Sequence, residues 1–431
     1  MSEGRTVFLV RHGQTTYNAG GVYQGASDSP ALSDHGKRQV NQLMDYLADA
    51  RIGQVLSSPL LRARQTLELM LRSPNFASVS AHIRDDLVET SIPEWDGRVK
   101  SEIAATDHVQ LSTWREKPHD FIAMSGRSPL TDTLERTRDL LHTLRQGGES
   151  GRLVIAHDHV NRCLLTSLMG VPADIHASLP QKNAALTVLT AVDGASDFSL
   201  KSSNIGPTSF ASLAEDAGKP RILLVRHGTT EANRNRIYQG SLIDLPLDAR
   251  GGMQADLLGR SISAVAPRVV ISSRLRRARQ TVARLKLSRK IPHVTDSRLN
   301  EFDYGHWTGL TASEVQRRFP VELRDWDRLK NERPISGAES LKQLDERVRG
   351  AMRAAWEEAG KGGTVLLVAH DVVIRTAISQ SLGLSIEHSW KFPITNGALS
   401  ELSMASSGRV LLRHHNMLPG RLSDRHDNDF L

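Results

Sequence analysis

Two histidines in this chain are delivered in the same way. The apolar run Val7-Phe8-Leu9-Val10 ends in Arg11-His12-Gly13, and Ile222-Leu223-Leu224-Val225 ends in Arg226-His227-Gly228. A strand that opens into a tight turn at Arg-His-Gly aims an imidazole and a guanidinium at one spot. With a reference pKa near ~6.5, much of the imidazole is unprotonated at neutral pH. A neutral, oriented imidazole can attack phosphorus, and the resulting phosphohistidine divides one hard displacement into two easier ones. Negative charge spreads over the transferring phosphoryl group, so catalysis is mostly positioning and electrostatic stabilisation. Arg11 and Arg62 can each offer a planar fork to phosphate oxygens. His157 can add a donor, and Asn18 a hydrogen bond without charge. The departing alkoxide needs a proton, for which Glu89 is the candidate acid. The same group can later deprotonate the attacking water. In the second half the matching set is His227, Arg226, Arg277, His370, Asn233 and Glu301.

The match extends along both halves in register. Gln24-Gly25 returns as Gln239-Gly240, Ser57-Ser58 as Ser272-Ser273, and Arg62-Ala63-Arg64-Gln65-Thr66 as Arg277-Ala278-Arg279-Gln280-Thr281. Further on, Glu89 meets Glu301, Trp95 meets Trp307, Ala156-His157-Asp158 meets Ala369-His370-Asp371, Asn183 meets Asn396 and Asn204 meets Asn416. A repeat of this length is a whole domain rather than a solenoid unit. Residues 1–205 and 221–418 are therefore expected as two domains, 206–220 as a linker rich in small residues, and 419–431 as a polar tail.

Short apolar runs alternate with amphipathic stretches in each half. The runs 7–10, 54–56, 153–156 and 185–190 read as strands, as do 222–225, 269–271, 365–369 and 398–404. Several are apolar throughout, the mark of strands buried on both faces. Val40, Leu43, Met44 and Leu47 fall at helical spacing after Ser33 or Asp34, and Ser128-Pro129 reads as a helix start. The expected architecture is α/β: two tandem three-layer α/β/α domains, each a mostly parallel, doubly wound sheet. Ligands on such sheets bind beyond the carboxyl ends of the strands, where Arg11-His12 and His157 both lie.

These residues, in this order, resemble the histidine phosphatase superfamily, also called phosphoglycerate mutase-like. The motifs that carry the resemblance are Leu-Val-Arg-His-Gly, Tyr-Gln-Gly, Ser-Ser-x-Leu-x-Arg-Ala-Arg-Gln-Thr, Leu-x-Glu, Trp-x-Gly, Ala-His-Asp and Asn-x-Ala-Leu. They recur in both halves apart from local departures. The resemblance implies that His12 and His227 are phosphorylated and that Glu89 and Glu301 donate protons. It implies phosphate pockets of Arg11, Arg62 and His157, and of Arg226, Arg277 and His370, with Gln24 and Gln239 beside them. It also implies that neither metal nor organic cofactor is needed. His157-Asp158-His159 has the look of a metal pair, but Val372 replaces the second histidine in the other half. Asp158 and Asp371 suit helix caps, Arg64 and Arg279 suit a helix surface, and the histidines that do not recur suit the surface.

The halves part between the acid and the second histidine. Gly126-Arg127-Ser128-Pro129 stands where the second half has Gly337-Ala338-Glu339-Ser340, and Pro93 where it has Gly305. Trp114 and Trp326 lie in these stretches, which would cover the pocket and choose the leaving group. The expected activity is a phosphomonoesterase acting on a small phosphorylated metabolite through phosphohistidine. Two alternatives stay open: a mutase-type phosphotransferase, and one active domain with the other, first of all the N-terminal one, a ligand-binding or regulatory module.

Composition fits two globular cores, with 39% apolar and 24% charged residues. The single Cys163 rules out a disulfide framework and suits a reducing compartment. No apolar stretch could span a bilayer, and the N-terminus lacks a signal-peptide pattern. The expected setting is cytoplasmic. The net charge of +7 comes without long basic runs, and aromatics make up only 5%. That pattern favours a scattered surface excess over nucleic-acid or membrane partners. No sequence feature points to a particular oligomeric state.

Overall fold

The computed structural model describes residues 5–146, 150–191, 195–215, 218–328 and 334–419. The chain divides into two compact units, Met1–Pro207 and Thr208–Leu431. The expected linker contains a short helix, Ser212–Glu215, whose Leu213 is fully buried. Residues 216–217 of that segment and 420–431 of the expected tail lie outside the described residues.

Unit 1 is built on six strands: β1 Arg5–Arg11, β2 Ile52–Ser57, β3 Ser80–Ile83, β4 Gly151–Ala156, β5 Leu186–Ala191 and β6 Ser199–Ile205. They lie in the order β3-β2-β4-β1-β5-β6. The first four are mutually parallel, and β5 and β6 join antiparallel. Unit 2 repeats the plan with β7 Arg221–Arg226, β8 Val269–Ser272, β9 His293–Thr295, β10 Thr364–Ala369, β11 Leu399–Met404 and β12 Val410–Met417. Its order is β9-β8-β10-β7-β11-β12, again with two antiparallel strands at one side. The central strands are the all-apolar ones: Leu9, Val10, Leu153, Val154 and Ile155 are fully buried, as helices on both faces require. The helices Asp34–Leu47 and Leu61–Leu71 pack on each other, the second also against β2 and β4. The helix Asp158–Met169 packs with Pro129–Arg136 and Arg138–Arg145 and against β1.

Strand register sets the site. Arg11 pairs with Ala156 across β1 and β4, so His12 and His157 leave the sheet side by side. Arg226 pairs with Ala369 in the same way, which places His227 beside His370. The turn after β1 then presses against the first turn of the helix Asp34–Leu47. A Cβ on Gly13 would stand 2.7 Å from the Gly36 carbonyl oxygen, and one on Gly36 would stand 2.0 Å from that of Gln14. Only a pair of glycines lets the two backbones meet this closely. Unit 2 does the same with Gly228 and Gly251.

Candidate active sites

In unit 1, Arg11, His12, Asn18, Gln24, Arg62 and Glu89 line one cleft. His12 and His157 sit with ring centres 5.1 Å apart. His12 Nδ1 lies 2.8 Å from the carbonyl oxygen of its neighbour Gly13. A carbonyl can only accept, so Nδ1 carries the proton and Nε2 the lone pair. Arg62 is almost wholly buried on its helix and is held from three sides. Its Nε donates to His157 Nδ1 at 3.3 Å, Nη1 to Ser27 O at 2.6 Å and Nη2 to Gly25 O at 2.8 Å. His157 therefore keeps its proton on Nε2, 2.8 Å from Ser58 Oγ. One hydroxyl joins the turn to the arginine helix: Thr66 Oγ1 accepts from the Gly13 N–H at 3.2 Å and donates to Arg62 O at 2.8 Å.

Unit 2 reproduces this geometry. Arg226, His227, Asn233, Gln239, Arg277 and Glu301 line its cleft. The His227 and His370 rings are 5.0 Å apart, and His227 Nδ1 donates to Gly228 O at 2.7 Å. Arg277 Nε is shared between His227 Nε2 at 3.3 Å and His370 Nδ1 at 3.2 Å. Thr281 makes the same tie as Thr66. The Arg277–His227 contact has no counterpart among the described residues of unit 1, and the serine contact differs as well. Ser273 Oγ turns to Asn300 Oδ1 at 2.9 Å, and His370 Nε2 is left without a partner among the described residues. Unit 1 has Val88 at the matching position, so its serine stays on the histidine.

Burial, reinforced by Arg62 and Arg11, holds the His12 imidazole well below the usual histidine range. Burial with Arg277 and Arg226 does the same to His227. Both rings are thus neutral at neutral pH. The two glutamates move the other way: burial, then Asp158, pushes Glu89 up, and burial, then Asp371, pushes Glu301 up. Glu89 accepts from three backbone N–H groups, those of Thr90, His159 and Val160, the last two in the first turn of the helix Asp158–Met169. That turn fixes where the carboxyl points. Each cleft therefore pairs a basic lone pair with an acid that holds its proton more tightly than usual.

The family model described as histidine phosphatase superfamily (branch 1) matches residues 7–204 and again 222–417. The chain belongs to the histidine phosphatase superfamily. Phosphoserine phosphatase 1 of Hydrogenobacter thermophilus is 31% identical over 196 residues, which cover 45% of this chain and 90% of that protein. The adenosylcobalamin/alpha-ribazole phosphatase of Escherichia coli is 30% identical over 189 residues, 43% of this chain and 90% of its own. The probable 2-carboxy-D-arabinitol-1-phosphatase of Arabidopsis thaliana is 30% identical over 231 residues, and the chain spans only 47% of its length.

Several side chains of the two sets are already engaged within the protein. His157 and His370 are fully buried beside the His12 and His227 rings, held by Arg62 and Arg277. Arg11 spends Nη1 on Gln181 O at 2.7 Å, and Arg226 spends its Nη1 on Ile394 O at 2.5 Å. Asn18 Oδ1 accepts from Thr15 and Asn183, which leaves only its NH2 for a ligand. Gln24 Oε1 accepts from Thr15 Oγ1, and Gln239 Nε2 donates to Thr230 Oγ1. Asp158 and Asp371 are not caps: His157 and His370 hold the cap positions, and the aspartates pair with Arg162 and Arg375 one turn on. His159 turns away from His157 and stacks between Trp114 and His176. The histidines without a counterpart are not all at the surface, since His176, His414 and His415 are buried.

Four kinds of contributor escaped the sequence reading. Thr66 and Thr281 recur in the sequence without an assigned role. Gln65 and Gln280 accept from the Leu32 and Leu247 N–H groups at 2.8 Å and anchor the loops that pass over the clefts. Asn183 and Asn396 donate to the carbonyls of His12 and His227 at 3.0 Å. Their recurrence was the only signal available. Lys100 in unit 1 and Tyr304 and Trp390 in unit 2 line the clefts without recurring at all.

Proposed function

We propose that both halves of this phosphatase-family chain hydrolyse phosphate monoesters of small metabolites through a phosphohistidine, at His12 in one and His227 in the other. The observation that carries the reading is the tautomer: with Nδ1 bound to a carbonyl, the lone pair of each imidazole lies on Nε2, which in His227 is reached by Arg277 Nε at 3.3 Å. In the first step Nε2 attacks phosphorus and the ester P–O bond breaks. The leaving alkoxide takes the proton of Glu89 or Glu301. In the second step water attacks the phosphohistidine, the carboxylate takes its proton, and the P–N bond breaks to release phosphate. Arg11 and Arg62, or Arg226 and Arg277, would neutralise the equatorial oxygens with the N–H groups not already spent on carbonyls. The amides of Asn18, Gln24, Asn233 and Gln239 would complete the rim, and His157 and His370 would orient the arginines.

The same hydrogen bonds in unit 1 support turnover there and weaken the binding-module alternative. The domain limits 1–205 and 221–418 belong to this reading. So does a cytoplasmic setting, supported by the single buried Cys163 and by the absence, among the described residues, of any helix long and apolar enough to cross a membrane. Relatives named for phosphoserine, carboxyarabinitol phosphate and ribazole support a small-metabolite substrate. The test is phosphate release from sugar, nucleotide and acid phosphates by the intact chain, His12→Ala, His227→Ala and the double variant. Each single variant should keep part of the activity and the double variant none. Isomerised phosphate esters without free phosphate would establish a mutase instead.

A further inference from the structure

Away from the histidines, the two clefts are walled differently. Tyr304, Trp326, Trp390 and Arg375 all line the unit 2 cleft. Trp326 meets Tyr304 edge-on at 5.6 Å and Trp390 edge-on at 4.8 Å. Such contacts fix the orientation of every ring. The Arg375 guanidinium lies 5.5 Å from the centre of the Trp390 ring and is fastened by Asp371 at 2.8 Å. The cleft therefore carries packed aromatic rings with a cation on the face of one of them. The Tyr304 hydroxyl has no hydrogen-bond partner among the described residues.

Unit 1 lacks this wall. Ile92 stands where unit 2 has Tyr304, and Ala177 where it has Trp390. Trp114 matches Trp326 but is turned into packing with Phe121 and His159. The unit 1 cleft is lined by Lys100 and His159 instead, and its cavity is about 90 Å³ against 140 Å³ in unit 2. An aromatic group that served only the core would not need to line the same cleft as the nucleophile. Large pre-oriented rings bind a flat partner at little conformational cost, because few rotors remain to be frozen.

We propose that unit 2 selects phosphate esters whose leaving alcohol carries a planar aromatic ring, held against Trp390 and Tyr304, and that unit 1 does not. This rests on the phosphatase reading of unit 2. Two matched pairs isolate the ring while keeping the leaving oxygen alike: adenosine 5′-monophosphate against ribose 5-phosphate, and benzyl phosphate against cyclohexylmethyl phosphate. The ratio of kcat/KM within each pair is measured for His12→Ala, which leaves unit 2 working, and for His227→Ala, which leaves unit 1. The ratio for at least one pair should be about tenfold higher in unit 2, the size of one stacking contact. Trp390→Ala in the His12→Ala chain should bring it down by about the same factor, and Trp390→Phe should restore most of it. Because the readout is a ratio, loss of folded protein lowers both members and leaves it unmoved. Equal ratios in the two halves, or a ratio untouched by Trp390→Ala, would overturn the selection while leaving phosphatase activity standing. No phosphate from any ester in the His12→Ala chain would overturn both.

Discussion

Thr281 offers a test of whether a single buried hydroxyl positions the nucleophile. Its Oγ1 accepts from the Gly228 N–H at 3.2 Å and donates to Arg277 O at 2.8 Å, and the side chain is fully buried. Thr281→Val keeps the shape and removes the hydroxyl. The Gly228 N–H is then stranded away from water, a penalty of roughly 1–3 kcal/mol. The added methyl returns up to about 0.8 kcal/mol of apolar burial, for a net loss of roughly 1–2 kcal/mol. With a urea m-value of about 2 kcal/mol per molar, the unfolding midpoint of unit 2 should fall by roughly 0.5–1 M. Activity should fall further than stability. The turn carrying His227 loses its tie to the arginine helix, and a displacement of about 1 Å can cost on the order of a hundredfold in rate. In a His12→Ala chain, kcat should drop roughly ten- to a hundredfold. Thr281→Ser is the control. It forfeits a buried methyl, and so loses a similar amount of stability, but it keeps both hydrogen bonds and should keep kcat. If the serine and valine variants lose kcat equally, the hydroxyl does not position the histidine and the argument fails.

Two further outcomes follow from the site. In a His12→Ala chain, Glu301→Gln should lower kcat/KM for esters of poorly leaving alkyl alcohols by roughly 10²–10⁴-fold yet barely change kcat/KM for aryl esters, whose leaving oxygens need no proton, while kcat falls for both because the base of the second step is lost. Equal loss of kcat/KM on both series, read from initial rates, would remove Glu301 from the proton-donor role. The second outcome concerns pH and stability. Burial holds His12, His157 and His176 well below the ordinary histidine range and His159 down to about 3. The unfolded chain binds protons at these sites near pH 6.5 while the folded chain does not, so stability must fall as pH drops from about 6.5 toward the folded values. Each such histidine contributes roughly 1.4 kcal/mol per pH unit. Glu89, whose pKa is raised, opposes the trend at the acid end. Urea midpoints measured from pH 7 to 5 should decline, and less steeply in His176→Phe; a flat profile would contradict the buried neutral rings.

What could be read in advance divides by physical scale. Arg-His-Gly and Arg-x-x-Gln-Thr were readable because their chemistry is unusual and each occurs twice. The central strands were readable because β1, β4, β7 and β10 are apolar without interruption. β3 and β9 were not, since they are short, exposed edge strands without a buried face. β6 buries Ser202, Ser203 and Asn204, and polar residues in a core hide a strand from any hydrophobic pattern. The depth of His157 followed from no spacing. It depends on where the Arg62 fork is already spent, and that requires coordinates. Trp390 lies in a short 3₁₀ segment, Ile386–Lys391, whose sequence carries no periodicity. Asn300 acts through a hydroxyl two elements away, a coupling that linear order does not express.

The described cluster of unit 1 is drawn from residues between Arg11 and Asn183, and that of unit 2 from residues between Arg226 and Asn396. Each half thus draws its cleft from its own residues alone. Translation consequently supplies the two clefts in strict one-to-one proportion at any expression level. A mutation that silences one leaves the other under separate selection, free to acquire a different taste in esters.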